Sequence, residues 1–126
     1  MTTALWCVLA AALLPYLGTG LAKGGGRMAL NANRAPREWA NTLEGWPKRA
    51  HWAQLNSFEA FPAFAVAVLT AQMLHAPQAR LDMLALAFIG FRLGYLVAYL
   101  ADLATLRSTL WAGGMVCVVW LFVLGA

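Results

Sequence analysis

Apolar residues run almost unbroken from Thr3 to Ala22, a stretch of about 20 residues, long enough to cross a bilayer as a helix. Similar blocks follow at about 51–74, 81–103 and 107–126. The pattern predicts an all-α fold: four antiparallel spans, one long loop over about 23–50, and two short connections. Pro15 falls inside the first block, where neighbouring helices can satisfy the carbonyl that it frees, so a kink is expected there rather than an end. The first block has no basic segment before it and is longer than a secretory apolar core. It is therefore expected to stay as a span rather than be cleaved.

Polar residues enter the blocks at helical spacing. Arg49, Trp52, Asn56 and Glu59 follow i, i+3, i+7, i+10, and Arg92, Tyr95, Tyr99 and Asp102 repeat that spacing. Each set falls on one helical face. Counted from the loop side at the helical rise, Glu59 lies about 13 Å deep and Arg92 about 16 Å. A lone charge near the bilayer centre costs about 2.5 to 3.5 kcal/mol on insertion scales. An ion pair between Glu59 and Arg92 is therefore expected, within one subunit or across two. Asn56, Tyr95 and Tyr99 would line a polar cavity below it. A pair that only fixed helix register would need none of those residues.

Composition sets the class. The chain of 126 residues is 62% hydrophobic and 11% charged, with a mean hydropathy of +0.65. Soluble domains carry about a quarter charged residues, so an integral membrane protein of one domain is expected, with the lipid bilayer as its surroundings and no nucleic-acid partner. The charge of +4 is unevenly placed. Lys23, Arg27, Arg34, Arg37, Lys48, Arg49 and Arg107 share one side, against Arg80 on the other. The positive-inside rule puts the long loop in the cytoplasm and both termini outside. Trp39, Trp46, Trp52 and Trp111 fall near the inner interface, with Trp6 and Trp120 near the outer one, as an aromatic belt requires.

Smaller features add detail. Gly24-Gly25-Gly26 lacks the ending of a phosphate-binding loop and is expected to be a flexible break. Pro36 to Glu44 is expected to form a short surface helix, stopped by Gly45 and Pro47. Gly90, Gly94 and Ala98 form a small-residue row that permits close helix contact, in favour of an oligomer. Cys7 and Cys117 sit in apolar runs and are expected to be buried hydrophobes. No metal-ligand spacing occurs, His51 is expected to snorkel toward water, and His75 ends the second block. A proton or ion path is disfavoured, because both blocks are apolar beyond Glu59 and Arg92.

KRAHWAQLNSFEAFPAF (Lys48 to Phe64), FRLGYLVAYL (Phe91 to Leu100) and the Arg107-Ser108 pair resemble the MAPEG family, membrane-associated proteins of eicosanoid and glutathione metabolism. The resemblance covers nearly the whole chain, as one domain over 1–126. It implies a homotrimer of four-helix bundles with glutathione, as thiol co-substrate, bound between subunits near the cytoplasmic side. Asn56, Glu59, Arg92, Tyr99 and Arg107 match the family's glutathione contacts, and Tyr95 lines the same space. Arg107 and Ser108 match the catalytic positions, the arginine stabilising the thiolate, which is the nucleophile. The implied activity is a glutathione-dependent transferase or peroxidase acting on lipophilic small molecules. The alternative is a non-catalytic protein on the same scaffold that binds lipid or a small thiol. Trp52 and Leu55 stand where the eicosanoid-type enzymes carry basic residues, and Tyr95 stands where the prostaglandin-forming branch has histidine. The chain thus resembles a divergent bacterial branch, which implies the inner membrane.

Overall fold

The computed structural model describes all 126 residues as helices and connections, with no strand. Helix α1 spans Thr3–Gly25, α2 Pro36–Asn41, α3 Gly45–Met73, α4 Gln78–Leu100 and α5 Ala104–Gly125, with a 3-10 turn at Leu30–Arg34. The four long helices form the bundle. α1 lies along α3, α4 lies along α5, and α4 also touches α1 and α3. Both termini and the α3–α4 turn share one end, where Thr2 Oγ1 donates to Gln72 Oε1 and the Ala4 N–H donates to Asp82 Oδ1. The long loop and the α4–α5 turn share the other.

Helices α1, α4 and α5 are long and apolar enough to cross a membrane. The 29-residue α3 has the length, but its polar stripe lowers its hydropathy. Both prolines are absorbed: α1 continues through Pro15 and α3 through Pro62. The Thr19 hydroxyl donates to the Pro15 carbonyl, 3.2 Å away.

The main core lies between α1, α3, α4 and α5. It holds Ala4, Cys7 and Ala11 from α1, Phe64 and Val68 from α3, Leu81 and Phe88 from α4, and Cys117 and Leu121 from α5. Both cysteines are free and buried, as expected. Small residues bring the helices together. Gly18 faces Gln54 Cβ and the Ala50 carbonyl, where an added Cβ would approach to 3.0 and 3.2 Å. The Gly90-Gly94-Ala98 row is partly used within the chain. Gly94 meets Leu110 and Ala98 is buried, while Gly90 stays open.

Three helices end in the same way. Arg27, His75 and Asp102 take left-handed backbone at φ 52°, 56° and 60°. The next N–H in each case reaches back to Lys23 O, Ala71 O or Ala98 O, at 3.1, 3.0 and 2.9 Å. This is the Schellman termination, with a non-glycine residue at the left-handed site. Asp102 therefore lies beyond α4 and does not extend the stripe of Arg92, Tyr95 and Tyr99, as its spacing had suggested.

Two loop expectations are also corrected. The glycine tract is not a flexible break. α1 runs through Gly24 and Gly25, and a Cβ on Gly25 would collide with the Trp46 ring, as one on Gly26 would with Leu43 and Trp39. Gly25 and Gly26 are contact points on which the loop docks. Pro47 does not stop a helix either. It sits buried in the first turn of α3, where its missing N–H would have had no partner anyway, so α3 begins at Gly45 and runs through it. The surface helix is found as α2, with Pro36 at its first position.

At the terminal end, Asp82 Oδ1 accepts from the Ala4 N–H and from Gln78 Nε2, both at 2.8 Å. Gln78 Oε1 in turn accepts from Gln72 Nε2 at 2.9 Å. The carboxylate faces the positive end of α1. Asp82→Ala removes that cap and unpairs two donors, so a stability loss of about 1 to 2 kcal/mol is expected. Thermal unfolding in detergent checks this, and an unchanged midpoint would refute the cap.

Candidate functional site

The polar stripes of α3 and α4 border a groove of about 400 Å³ lined by Trp52, Leu55, Asn56, Glu59, Tyr95 and Tyr99. Helical periodicity delivers these residues. Trp52, Asn56 and Glu59 recur on one face of α3, and Tyr95 and Tyr99, four apart, stand on the facing side of α4. Their rings meet edge to face at 5.5 Å, and Trp52 lies 6.3 Å from Tyr99.

Cations sit against this aromatic wall. The Arg107 guanidinium lies over the Tyr99 ring at 4.6 Å, and that of Arg92 over Tyr95 at 4.3 Å. Lys48 Nζ is 5.5 Å from the Trp52 ring. Such contacts contribute about 0.5 to 2 kcal/mol each, more where water is excluded. They also fix where each charge points. Arg107, in the first turn of α5, is held at the loop end of the groove by Tyr99. Ser108 is exposed on the same turn and takes part in no side-chain hydrogen bond.

The expected Glu59–Arg92 ion pair is not formed within the chain. Arg92 is 3% exposed. Its Nη2 donates to Ser57 Oγ at 3.2 Å, and that hydroxyl donates to the Ala53 carbonyl at 2.9 Å. Its niche is closed by Ala11, Leu14, Ala60, Phe61 and Phe88. Glu59 is exposed, and its Oε2 accepts from Asn56 Nδ2 at 3.3 Å. The reason is angular. Ser57 and Glu59 are two residues apart, about 200° around the helix, so when Ser57 faces the bundle interior Glu59 faces away. Similar depth placed the charges at one level but could not place them on one side. Arg92 thus stands behind the groove wall, with Tyr95 between it and the groove.

Two buried polar atoms have no partner, Asn56 Oδ1 and Arg92 Nε. Asn56 lines the groove through its amide nitrogen, which bonds Glu59, while its Oδ1 is turned inward and buried. Ser57 was present in the sequence but carried no distinguishing pattern, since a serine in a helix usually bonds its own backbone. Arg49 was expected on the groove face. Instead its Nε and Nη2 donate to the Leu100 carbonyl at 3.3 and 3.0 Å, which satisfies an orphan carbonyl at the end of α4. His51 turns toward α1, with Nδ1 3.4 Å from Gln54 Oε1. Lys48 is therefore the basic side chain of α3 that stays at the groove rim. No cluster of histidine, cysteine, aspartate or glutamate that could hold a metal ion is present.

The groove is a short, aromatic-walled cleft with a carboxylate and an amide midway along it and a guanidinium at its loop end. That set suits a small zwitterion, with its cationic end at Glu59 and its anionic end at Arg107. Residues 3–126 of the chain match the profile of the MAPEG family. No curated protein and no solved structure matches it.

Proposed function

Because the chain belongs to the MAPEG family, we propose that the α3–α4 groove binds glutathione and that the protein is a membrane-bound glutathione transferase or peroxidase for lipophilic substrates. The observation that carries the reading is Arg107, held over Tyr99 at 4.6 Å at one end of a groove whose carboxylate is Glu59. Glu59 takes the ammonium of the tripeptide, and the Asn56 amide nitrogen, which donates to Glu59 Oε2 at 3.3 Å, holds that carboxylate in place. Arg107 faces the sulfur. A cation there lowers the thiol pKa, so the proton leaves to solvent and a thiolate remains. In transfer, that sulfur bonds to an electrophilic carbon as the leaving group departs. In peroxide reduction, two glutathiones become the disulfide while the hydroperoxide becomes an alcohol and water. Ser108, one residue on, donates to the sulfur or to the leaving group. Arg92 acts as a positioning residue that braces Tyr95 from behind.

The groove is walled by α3 and α4 alone and lies open on its outer side, and a neighbouring copy in a homotrimer closes it. All four long helices cross the membrane. α3 buries its polar stripe against α4 and the neighbouring copy, which accounts for its lower hydropathy. The loop end carries every basic residue except Arg80 and Arg92, so it faces the cytoplasm, and a bacterial inner membrane is the proposed location. Glutathione enters from the cytoplasm and the lipophilic substrate from the bilayer.

A second reading, a non-catalytic thiol- or lipid-binding protein, is favoured by Trp52 and Leu55 and by Arg49, which is committed to Leu100. These leave Lys48 alone to meet glutathione's carboxylates. Calorimetric titration of the purified trimer with glutathione separates the two when combined with a conjugation assay on a generic electrophile. Binding with turnover supports the enzyme, binding without turnover supports the second reading, and no binding refutes glutathione as ligand. Trp52→Arg restores a fork for a carboxylate. A charge-assisted hydrogen bond contributes about 1.5 to 3 kcal/mol, so the Kd should fall about tenfold or more.

A further inference from the structure

The two buried atoms without a partner are complementary: Arg92 Nε is a donor and Asn56 Oδ1 an acceptor. They lie on facing helices at one level, because Arg92 Nη2 donates at 3.2 Å to Ser57, the residue next to Asn56. Leaving either group desolvated and unpaired is costly. One contact between them, direct or through a single water, removes both costs.

Azimuth places Asn56 between two ends of a chain. Ser57 is buried and faces the bundle interior, and Glu59 is exposed. Asn56 lies about 100° round α3 from Ser57, and Glu59 about 60° further in the same direction. Ala60 falls in the arc between Ser57 and Asn56. It lines the niche of Arg92, so that niche extends into the same arc. The amide orientation agrees. Asn56 Nδ2 donates to Glu59 Oε2 at 3.3 Å, which turns Oδ1 inward. The reverse orientation would set the amide oxygen against a carboxylate and the amide N–H groups against a guanidinium.

We propose that Asn56 relays the charge of Arg92 to Glu59. The guanidinium donates to the amide oxygen, directly or through one buried water, and the amide nitrogen donates to the carboxylate. The two charges that do not meet as an ion pair are thereby coupled through one amide. Polarisation by the cation strengthens the bond at Glu59 and keeps that carboxylate aimed along the groove. Arg92 is then a positioning residue for Glu59 as well as for Tyr95, and it touches no ligand itself.

The first test needs no ligand. In protein labelled with 15N-asparagine, the side-chain signals of Asn56 are those lost in Asn56→Leu; the other asparagines, Asn31, Asn33 and Asn41, lie in the loop and serve as internal references. Arg92→Met and Glu59→Gln should each move the Asn56 amide proton upfield and leave the references in place. Arg92→Lys, which keeps the charge, should fall between. Arg92→Met leaves Ser57 bonded to the Ala53 carbonyl, and thermal unfolding verifies that each variant is folded. An Asn56 proton unmoved by Arg92→Met overturns the relay.

The second test rests on the reading of the groove as a glutathione site. By calorimetry, Arg92→Met should weaken glutathione binding about fivefold in the native background and less than about twofold in Asn56→Leu, because residues joined by a network are not additive. A role confined to bracing Tyr95 would give the same factor in both backgrounds, and that result also overturns the relay. Should the native protein bind no glutathione, the reading of the groove falls, and the Asn56 resonance alone decides the relay.

Discussion

Replacing Arg107 by alanine is expected to lower the rate of glutathione conjugation about 100-fold, the loss found when one preorganised donor to a developing anion is removed. The argument rests on position. Arg107 opens α5, and its guanidinium lies 4.6 Å from the Tyr99 ring, so its charge is held at the groove without an acidic partner to neutralise it. With the cation present, the bound thiol ionises at lower pH. Without it, the thiol pKa rises, and the acid limb of the pH–rate profile should move to higher pH. Glutathione affinity should change less than kcat, because in the proposed binding mode Glu59 holds the tripeptide away from the sulfur. Arg107→Lys keeps the charge but loses the planar stack on Tyr99, and it should recover part of the rate. A variant with unchanged kcat and an unmoved pH profile would remove Arg107 from the chemistry and favour the non-catalytic reading.

The largest stability effect is expected at Phe64. Its ring stacks on that of Phe88, with centroids 3.9 Å apart and planes 5° from parallel, and both residues are fully buried. Phenylalanine to alanine in a packed core costs about 3 to 5 kcal/mol. In a bilayer the transfer part shrinks, because lipid is as apolar as the bundle interior, while the cavity and the lost dispersion contacts remain. Phe64→Ala should therefore fall near the lower end, about 3 kcal/mol, measured by denaturant or thermal unfolding in detergent. Phe64→Leu should recover more than half of that. Phe88 also closes the niche of Arg92, so the alanine variant should loosen Arg92 and weaken the support of Tyr95. A loss below about 1 kcal/mol would mean that α3 and α4 collapse onto the vacated space.

The sequence by itself determined the class of the protein and most of its groove. Long apolar blocks admit only helices in a membrane, because every backbone N–H must find its partner within its own segment. The spacing of Trp52, Asn56 and Glu59, and of Tyr95 and Tyr99, fixes which residues share a helical face, since 3.6 residues per turn is a local property. Those five residues do meet in one groove. Local pattern also identified the short helix at Pro36 and the burial of both cysteines.

Tertiary structure decided what long or ambiguous side chains do. An arginine reaches far enough to serve either side of its helix, so Arg92 turned inward to Ser57, and Arg49 closed the end of α4 instead of facing the groove. Glu59 and Arg92 share a depth, but azimuth depends on how α3 rotates against its neighbours, and packing of Phe64, Val68 and Phe88 sets that rotation. The glycine tract and Pro47 are locally compatible with a break, and became contact and helix start only because Trp46, Trp39 and Leu43 dock on α1. Asp102 kept helical spacing in the sequence, yet it turned left-handed where α4 must end for α5 to return. In each case the residue type permitted two conformations of similar local energy, and contacts distant in sequence chose between them.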